Sequence, residues 1–176
     1  MTVEDADAAE ETVWQGKWIE VKRRGRWEYV ARARGIKAAV IVALDGGDVL
    51  LVEQFRVPLG RVCLELPAGL IGDEQEGEHP MLAAERELEE ETGYAATEWD
   101  DLGEYFSSPG MLGESFTLLR ARGLTRVSEG GGVPGENITV HRVALAGIVP
   151  FIAERRGLGI AVDCKLLMLL GGGILA

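Results

Sequence analysis

Nine carboxylates lie between Asp73 and Glu91 with a single arginine, Arg86, among them, which is about a third of the 29 acidic residues in a chain of 176. On a helix advancing about 100° per residue, Glu87, Glu90 and Glu91 share one sector of about 100°, beside an apolar stripe of Met81, Ala84 and Leu88. Like charges at such spacings repel by only about 0.2–0.5 kcal/mol a pair, so a solvated acidic face and a cation site are equally open on energy alone. The chemistry favours the second. Hard oxygen donors that converge without compensating lysines are what Mg2+ or Mn2+ takes, because the ion offsets their repulsion.

No other constellation competes with this one. His79 and His141 have no serine or cysteine placed to act with them in nucleophilic catalysis, and both read as solvated or structural. Cys63 and Cys164 stand far apart in apolar surroundings, which suits buried thiols in a reducing compartment better than a disulfide or a metal knuckle. One segment is basic and aromatic: Trp14, Trp18, Trp27 and Tyr29 are interleaved with Lys17, Lys22, Arg23, Arg24, Arg26, Arg32 and Arg34.

The elements that must carry the acidic cluster follow from period and punctuation. Pro80 suits a first helical turn and Gly93 a left-handed end, predicting a helix over Pro80 to Thr92. A second helix is predicted over Val162 to Leu170, ended by Gly171-Gly172-Gly173, and a weaker one over Ala146 to Arg155. Ala38 to Leu44 and Val49 to Val52 are β-branched apolar runs around Asp45-Gly46-Gly47, a hairpin signal. Val62 to Leu66, Phe116 to Ala121 and Ile138 to Ala144 are further strands, and Gly130-Gly131-Gly132 reads as a flexible connector. Strands before, between and after helices imply an α/β domain with a mixed sheet packed between helices.

Composition bounds the function. The length fits one core, and a formal charge of −11 sets this chain against nucleic acid backbones. Nothing approaches a run of about 18 apolar residues, and the acidic start from Met1 to Glu11 lacks the basic and apolar regions of a secretion signal, so a cytoplasmic protein without membrane partners is expected.

Gly72, Glu78 and the run Arg86-Glu87-Leu88-Glu89-Glu90-Glu91-Thr92-Gly93-Tyr94 together resemble the Nudix box. Further segments resemble the ADP-ribose pyrophosphatase branch of the Nudix hydrolases. They are Gly16-Lys17-Trp18, Trp27-Glu28-Tyr29-Val30, Val52-Glu53-Gln54-Phe55-Arg56, Glu65-Leu66-Pro67-Ala68-Gly69, and Ser108-Pro109-Gly110 with Glu114. In that branch the box glycine is normally the one matched by Gly69, so the loop within Gly72 to Gln75 carries about three extra residues, a change that surface loops tolerate.

The resemblance implies a Nudix-type α/β/α sandwich over residues 35–176 and a small N-terminal β segment, used for dimerisation, over residues 1–34. It implies that the Ala68 carbonyl, Glu87, Glu90 and Glu91 bind Mg2+, with Mn2+ the alternative ion, and that Arg86 orients those carboxylates. Arg56 and Arg32 would contact substrate phosphate, while Trp18 and Trp27 sandwich the adenine across a homodimer and Glu28 hydrogen-bonds there. The general base is Glu136 or Glu114. The implied reaction splits ADP-ribose into AMP and ribose 5-phosphate. The alternatives are the same chemistry on another nucleoside diphosphate sugar or a dinucleotide, or a non-catalytic nucleotide-binding module of the same fold, which need not retain all three glutamates.

Overall fold

The computed structural model describes residues 3–72 and 77–171, so the expected loop insertion after Gly72, and Gly172 and Gly173, lie outside the described residues. Three N-terminal strands, β1 (Glu10–Gln15), β2 (Ile19–Arg24) and β3 (Trp27–Arg32), form an antiparallel meander of their own. Its register sets acid against base across the ladder, Glu10 opposite Arg24 and Glu11 opposite Arg23, and the Lys22–Glu10 and Arg23–Glu11 ion pairs close at 2.9 and 2.7 Å. This sheet has little interior. It is tied to the rest of the molecule where Val30 accepts from Gly113 N–H and donates to the Met111 carbonyl.

The main sheet has eight strands and is mixed. The predicted hairpin is its centre: β4 (Lys37–Asp45) and β5 (Asp48–Arg56) are joined at Gly46-Gly47, both with positive φ. They pair only next to that turn, at Leu44–Val49 and Asp45–Asp48, and then diverge as a fork. Inside the fork β6 (Arg61–Glu65) lies along the end of β5, on the edge that β5 turns toward β4, and β7 (Ala68–Ile71) lies along the beginning of β4. Helix α1 (Pro80–Glu87) follows and continues as a π-helical turn over Leu88–Thr92, ending at Gly93 with φ +78°. The two-residue strand β8 (Tyr94–Ala95) leads to β9 (Glu98–Phe106), and β10 (Ser115–Arg122) pairs antiparallel with β9 and parallel with β4. Then come β11 (Thr125–Arg126), paired with β8, and β12 (Thr139–Ala144), which borders β5. Helix α2 (Ile148–Gly157), the short β13 (Ala161–Val162) parallel to β6, and a 3-10 segment over Cys164–Leu170 complete the described chain.

Alternation along β4 assigns the two faces of the sheet. Val40 and Val42 point into a core shared with Phe116, Leu118, α2 and the C-terminal segment, while Ala39, Ile41 and Ala43 point into a second core closed by Ala83, Ala84 and Leu88. The result is the α/β/α sandwich that the resemblance implies.

Two expectations need correction here, and one strand carried no signal. The predicted helix over Val162 to Leu170 is not α: Ala161 and Val162 are taken by the edge of β6, and the Asp163 side chain accepts from Lys165 N–H and starts a 3-10 segment instead. Cys164 is exposed, because the 3-10 turn directs Leu166 and Leu169 inward; only Cys63 is buried, and burial pushes its thiol up to about 12. Strand β9 escaped the sequence reading because its acidic and glycine residues (Glu98, Asp100, Asp101, Gly103 and Glu104) mask any apolar alternation on an edge strand.

Candidate active site

The open end of the fork is a cleft of about 380 Å3. Ala38 and Val40 from the start of β4, Gln54 and Arg56 from the end of β5, and Ala68 and Gly69 from β7 meet there because β4 and β5 separate beyond their turn. Glu87 and Glu91 reach the same cleft from α1 and its π turn, Arg32 from β3, Glu114 and Phe116 from the edge of β10, Glu136 from the loop before β12, and Lys165 from the C-terminal segment.

The carboxylate side is tightly built. Glu87 packs so closely on Gly69 that a Cβ there would lie 1.9 Å from the glutamate Cδ, so a side chain at this position would displace the Glu87 carboxylate. Glu91 is 5% exposed and its Oε2 accepts Ala68 N–H at 3.0 Å. Burial, with the charges of Glu87 and Glu136 adding to it, pushes the Glu91 carboxyl up to about 8 against the pull of the Ala68 amide and Arg56. Arg86 spans the helix: Nη1 donates to Glu87 at 2.8 Å and Glu90 at 3.4 Å, Nη2 donates to the Leu70 carbonyl, and Nε lies 3.8 Å from Glu78. Glu78 in turn accepts Gly72 N–H at 3.1 Å.

Glu90 does not line this cleft. It borders a neighbouring hollow with Arg86, Glu89, Ser128 and Gly132, and the π turn is the reason. A π turn takes more residues per revolution than an α turn, so Glu91 stays near Glu87 while Glu90 swings away. The three-carboxylate sector drawn for an ideal α-helix thereby becomes a pair in the cleft and a third on its flank.

The basic groups are held by acids. Arg56 forks onto buried Glu65 at 2.7 and 2.9 Å, a partnership that raises the guanidinium's pKa above its ordinary value. Arg32 Nε donates to Glu114 at 2.6 Å. Glu136 accepts Val133 N–H at 2.9 Å in an exposed loop. Trp18, Trp27 and Glu28 are not in the cleft. Trp18, 44% exposed, lies between Lys17 and Arg34, whose charges sit 4.6 and 5.2 Å from its ring, and Trp27, 54% exposed, faces Tyr29 and the Pro109–Gly113 stretch. His79 caps α1 by accepting Met81 N–H, and His141 sits 3.2 Å from Glu53, so both are structural. Sequence reasoning assigned no role to Gln54, Glu65, Ser107 or Lys165. A lysine two residues after Asp163, inside an apolar run, was the available signal for the last.

The glycine triplet is no free connector. Gly131 and Gly132 N–H groups donate to the Glu91 and Glu90 carbonyls, each at 2.9 Å, so the loop that carries Glu136 caps the end of the acidic helix. Gly130 has φ +67° and a Cβ there would lie 2.4 Å from the Thr92 carbonyl carbon. Left-handed backbone and overpacking together predict that Gly130→Ala destabilises by roughly 2–4 kcal/mol. Gly157, at an open position with ordinary φ, is the control. Urea unfolding of the two alanine variants checks this, and a Gly130→Ala loss under about 0.5 kcal/mol, the usual span for a surface change, would contradict it.

A family model described as the NUDIX domain matches residues 33–144. The chain belongs to the Nudix family. It is 32% identical over 137 residues to an ADP-ribose pyrophosphatase of Bacillus subtilis, an alignment covering 73% of this chain and 71% of the relative. It is also 32% identical to a GDP-mannose pyrophosphatase of Cronobacter sakazakii, covering 86% and 78%. Against several further curated relatives the aligned stretch spans only 30–63% of their length. A crystal structure of an ADP compounds hydrolase shares the fold, with a TM-score of 0.69 at 22% identity over 92% of this chain and 89% of that one.

Nudix hydrolases work with a divalent metal, and the donor chemistry of this Nudix cleft suits one. Buried Glu91 sits under the repulsion of Glu87 and Glu136, an arrangement that a hard cation relieves, and the oxygen donors include no thiol or imidazole. Among the described residues no three acidic, histidine or cysteine side chains are already drawn together into a metal cage, so ion binding in the Nudix cleft would gather its carboxylates further.

Proposed function

We propose that this Nudix hydrolase cleaves the diphosphate of ADP-ribose to AMP and ribose 5-phosphate, with Mg2+ held by Glu87, Glu91, Glu90 and the Ala68 carbonyl. The observation that carries this reading is the pairing, in one cleft, of buried Glu91 beside Glu87 with two acid-anchored guanidiniums, Arg56 and Arg32. Relatives named ADP-ribose pyrophosphatase support the substrate.

Arg56 keeps donors beyond those given to Glu65, and Arg32 beyond the Nε given to Glu114, and these reach the phosphoryl oxygens of the substrate. When bound, Mg2+ supplies charge neutralisation for the diphosphate and a water of lowered pKa. Glu136 accepts the proton of the attacking water as the new P–O bond forms and the bridging P–O bond breaks, leaving two phosphate monoesters. Arg86 keeps Glu87 and Glu90 in place throughout.

Two copies pair through the N-terminal sheet in this reading, so that the Trp18 to Arg34 segment of one completes the nucleotide pocket of the other. The exposed indoles of Trp18 and Trp27 support this, since neither lines the cleft of its own chain. Sedimentation is expected to show a dimer, and a monomer with full activity at micromolar protein would contradict a shared site. The acidic composition, and free thiols at Cys63 and Cys164, agree with a cytoplasmic setting. No helix among the described residues is long and apolar enough to cross a membrane.

The GDP-mannose pyrophosphatase relative favours one second reading, a different nucleoside diphosphate sugar. Assay of ADP-ribose, ADP-glucose, GDP-mannose and a dinucleoside diphosphate with Mg2+ separates the two. We expect kcat/KM for ADP-ribose to exceed the others by at least about tenfold, as hydrogen-bonded recognition of the base and of the terminal sugar together allows. A higher value for another substrate moves the assignment to it, and no hydrolysis of any would leave a binding module.

A further inference from the structure

We infer that Lys165, supplied by the C-terminal segment, is a substrate-binding residue that donates to a phosphoryl oxygen of the diphosphate. This rests on the proposed diphosphate substrate and adds a third cation to the two arginines.

Lysine on a solvated surface leaves its ammonium in water, yet Lys165 is only 19% exposed and lines the cleft. Its position is engineered locally by Asp163. One carboxylate oxygen of Asp163 accepts Lys165 N–H at 2.7 Å and so sets the 3-10 turn, and the other holds the ammonium at 2.5 Å. Asp163 is itself fixed to the sheet, because its N–H donates to the Leu64 carbonyl one residue before Glu65, the anchor of Arg56. The ammonium also lies 5.7 Å from the centre of the Phe116 ring, on the strand that begins beside Glu114.

Capping alone needs only a backbone N–H at this position, which any residue but proline supplies. What the lysine adds is a point charge with three donors, of which Asp163 occupies one. In a cleft where Arg56 and Arg32 each give part of their fork to a glutamate, an ammonium with donors to spare is suited to a phosphoryl oxygen of the bound diphosphate, which is already anionic before reaction.

The test compares Lys165→Met and Lys165→Arg with the unaltered protein in two measurements. One is calorimetric binding of inorganic pyrophosphate with Ca2+ present, and the other is hydrolysis of ADP-ribose with Mg2+. Loss of a charge-assisted hydrogen bond predicts that Lys165→Met weakens pyrophosphate binding by about 10- to 100-fold and raises KM for ADP-ribose to a similar extent. Because such binding acts on ground and transition states alike, kcat should change by less than about threefold. Lys165→Arg should restore most of the affinity, and thermal melts of all three proteins should agree closely. Equal pyrophosphate binding by Lys165→Met and the unaltered protein, undetectable binding by both included, would overturn the inference. A lowered melting temperature with KM unchanged would overturn it too, since that marks a capping role only. Pyrophosphate binding that depends on Lys165 in a protein that does not hydrolyse ADP-ribose would keep this inference and refute the ADP-ribose reading.

Discussion

Glu91→Gln is expected to lose about 10²–10³ in kcat, the range seen when a group that stabilises developing charge is removed, while the protein folds at least as well. The two halves of this expectation have one origin. Glu91 is a buried carboxyl raised to about 8 by its environment, which is an unfavourable place for a charge unless an ion is bound beside it. The sign of its pH dependence follows directly. A carboxyl at about 8 folded and 4.5 unfolded makes the folded state bind more protons between those values, so its contribution to stability is greatest below pH 4.5 and is lost as pH rises to about 8. In EDTA, Glu91→Gln should therefore gain stability over the unaltered protein as pH increases through that window, while its side-chain oxygen still accepts Ala68 N–H. Melts in EDTA at a series of pH values, paired with kinetics at saturating Mg2+, check both halves. Turnover within threefold of the unaltered enzyme would remove Glu91 from the metal site.

Glu136→Gln is expected to lower kcat by about 10²–10⁴ with KM little changed, as removal of a general base does. The alternative base, Glu114, has a visible structural task, since Arg32 is bound to it at 2.6 Å. Its glutamine variant should loosen Arg32 and act chiefly on KM. Glu136, by contrast, sits in a loop anchored to the end of the acidic helix through Gly131 and Gly132, and its charge is felt at Glu91. Its carboxylate accepts Val133 N–H through Oε2, which leaves room for a water. Single-turnover hydrolysis by the two glutamine variants decides: a larger loss of the chemical step in Glu114→Gln would transfer the role to the Ser108-Pro109-Gly110 loop.

Where local signals agreed, residues could be placed from sequence. Pro80, the stripe of Met81, Ala84 and Leu88, and Gly93 bracket the acidic helix at its observed ends, and Asp45-Gly46-Gly47 marks the hairpin that organises the sheet. What periodicity could not carry was the π turn, because arithmetic on a 3.6-residue helix assigns Glu90 to a face that the wider turn takes away. The opening of the fork between β4 and β5 was equally hidden, since it depends on β6 and β7 pairing with the facing edges of β5 and β4. Gly130-Gly131-Gly132 has the composition of a linker, and only its contacts with Thr92, Glu90 and Glu91 show it to be a helix cap. Lys165 was obscured because its segment reads as an apolar helix, although the capping aspartate two residues earlier turns it toward the cleft.

Product analysis is the decisive experiment for the proposed hydrolase. ADP-ribose incubated with the protein and Mg2+ in oxygen-18 water should yield AMP and ribose 5-phosphate in equal amounts, with one labelled oxygen per turnover on a product phosphate and no reaction in EDTA. Intact ADP-ribose after prolonged incubation with Mg2+, or adenosine diphosphate with free ribose in place of two monoesters, would contradict it.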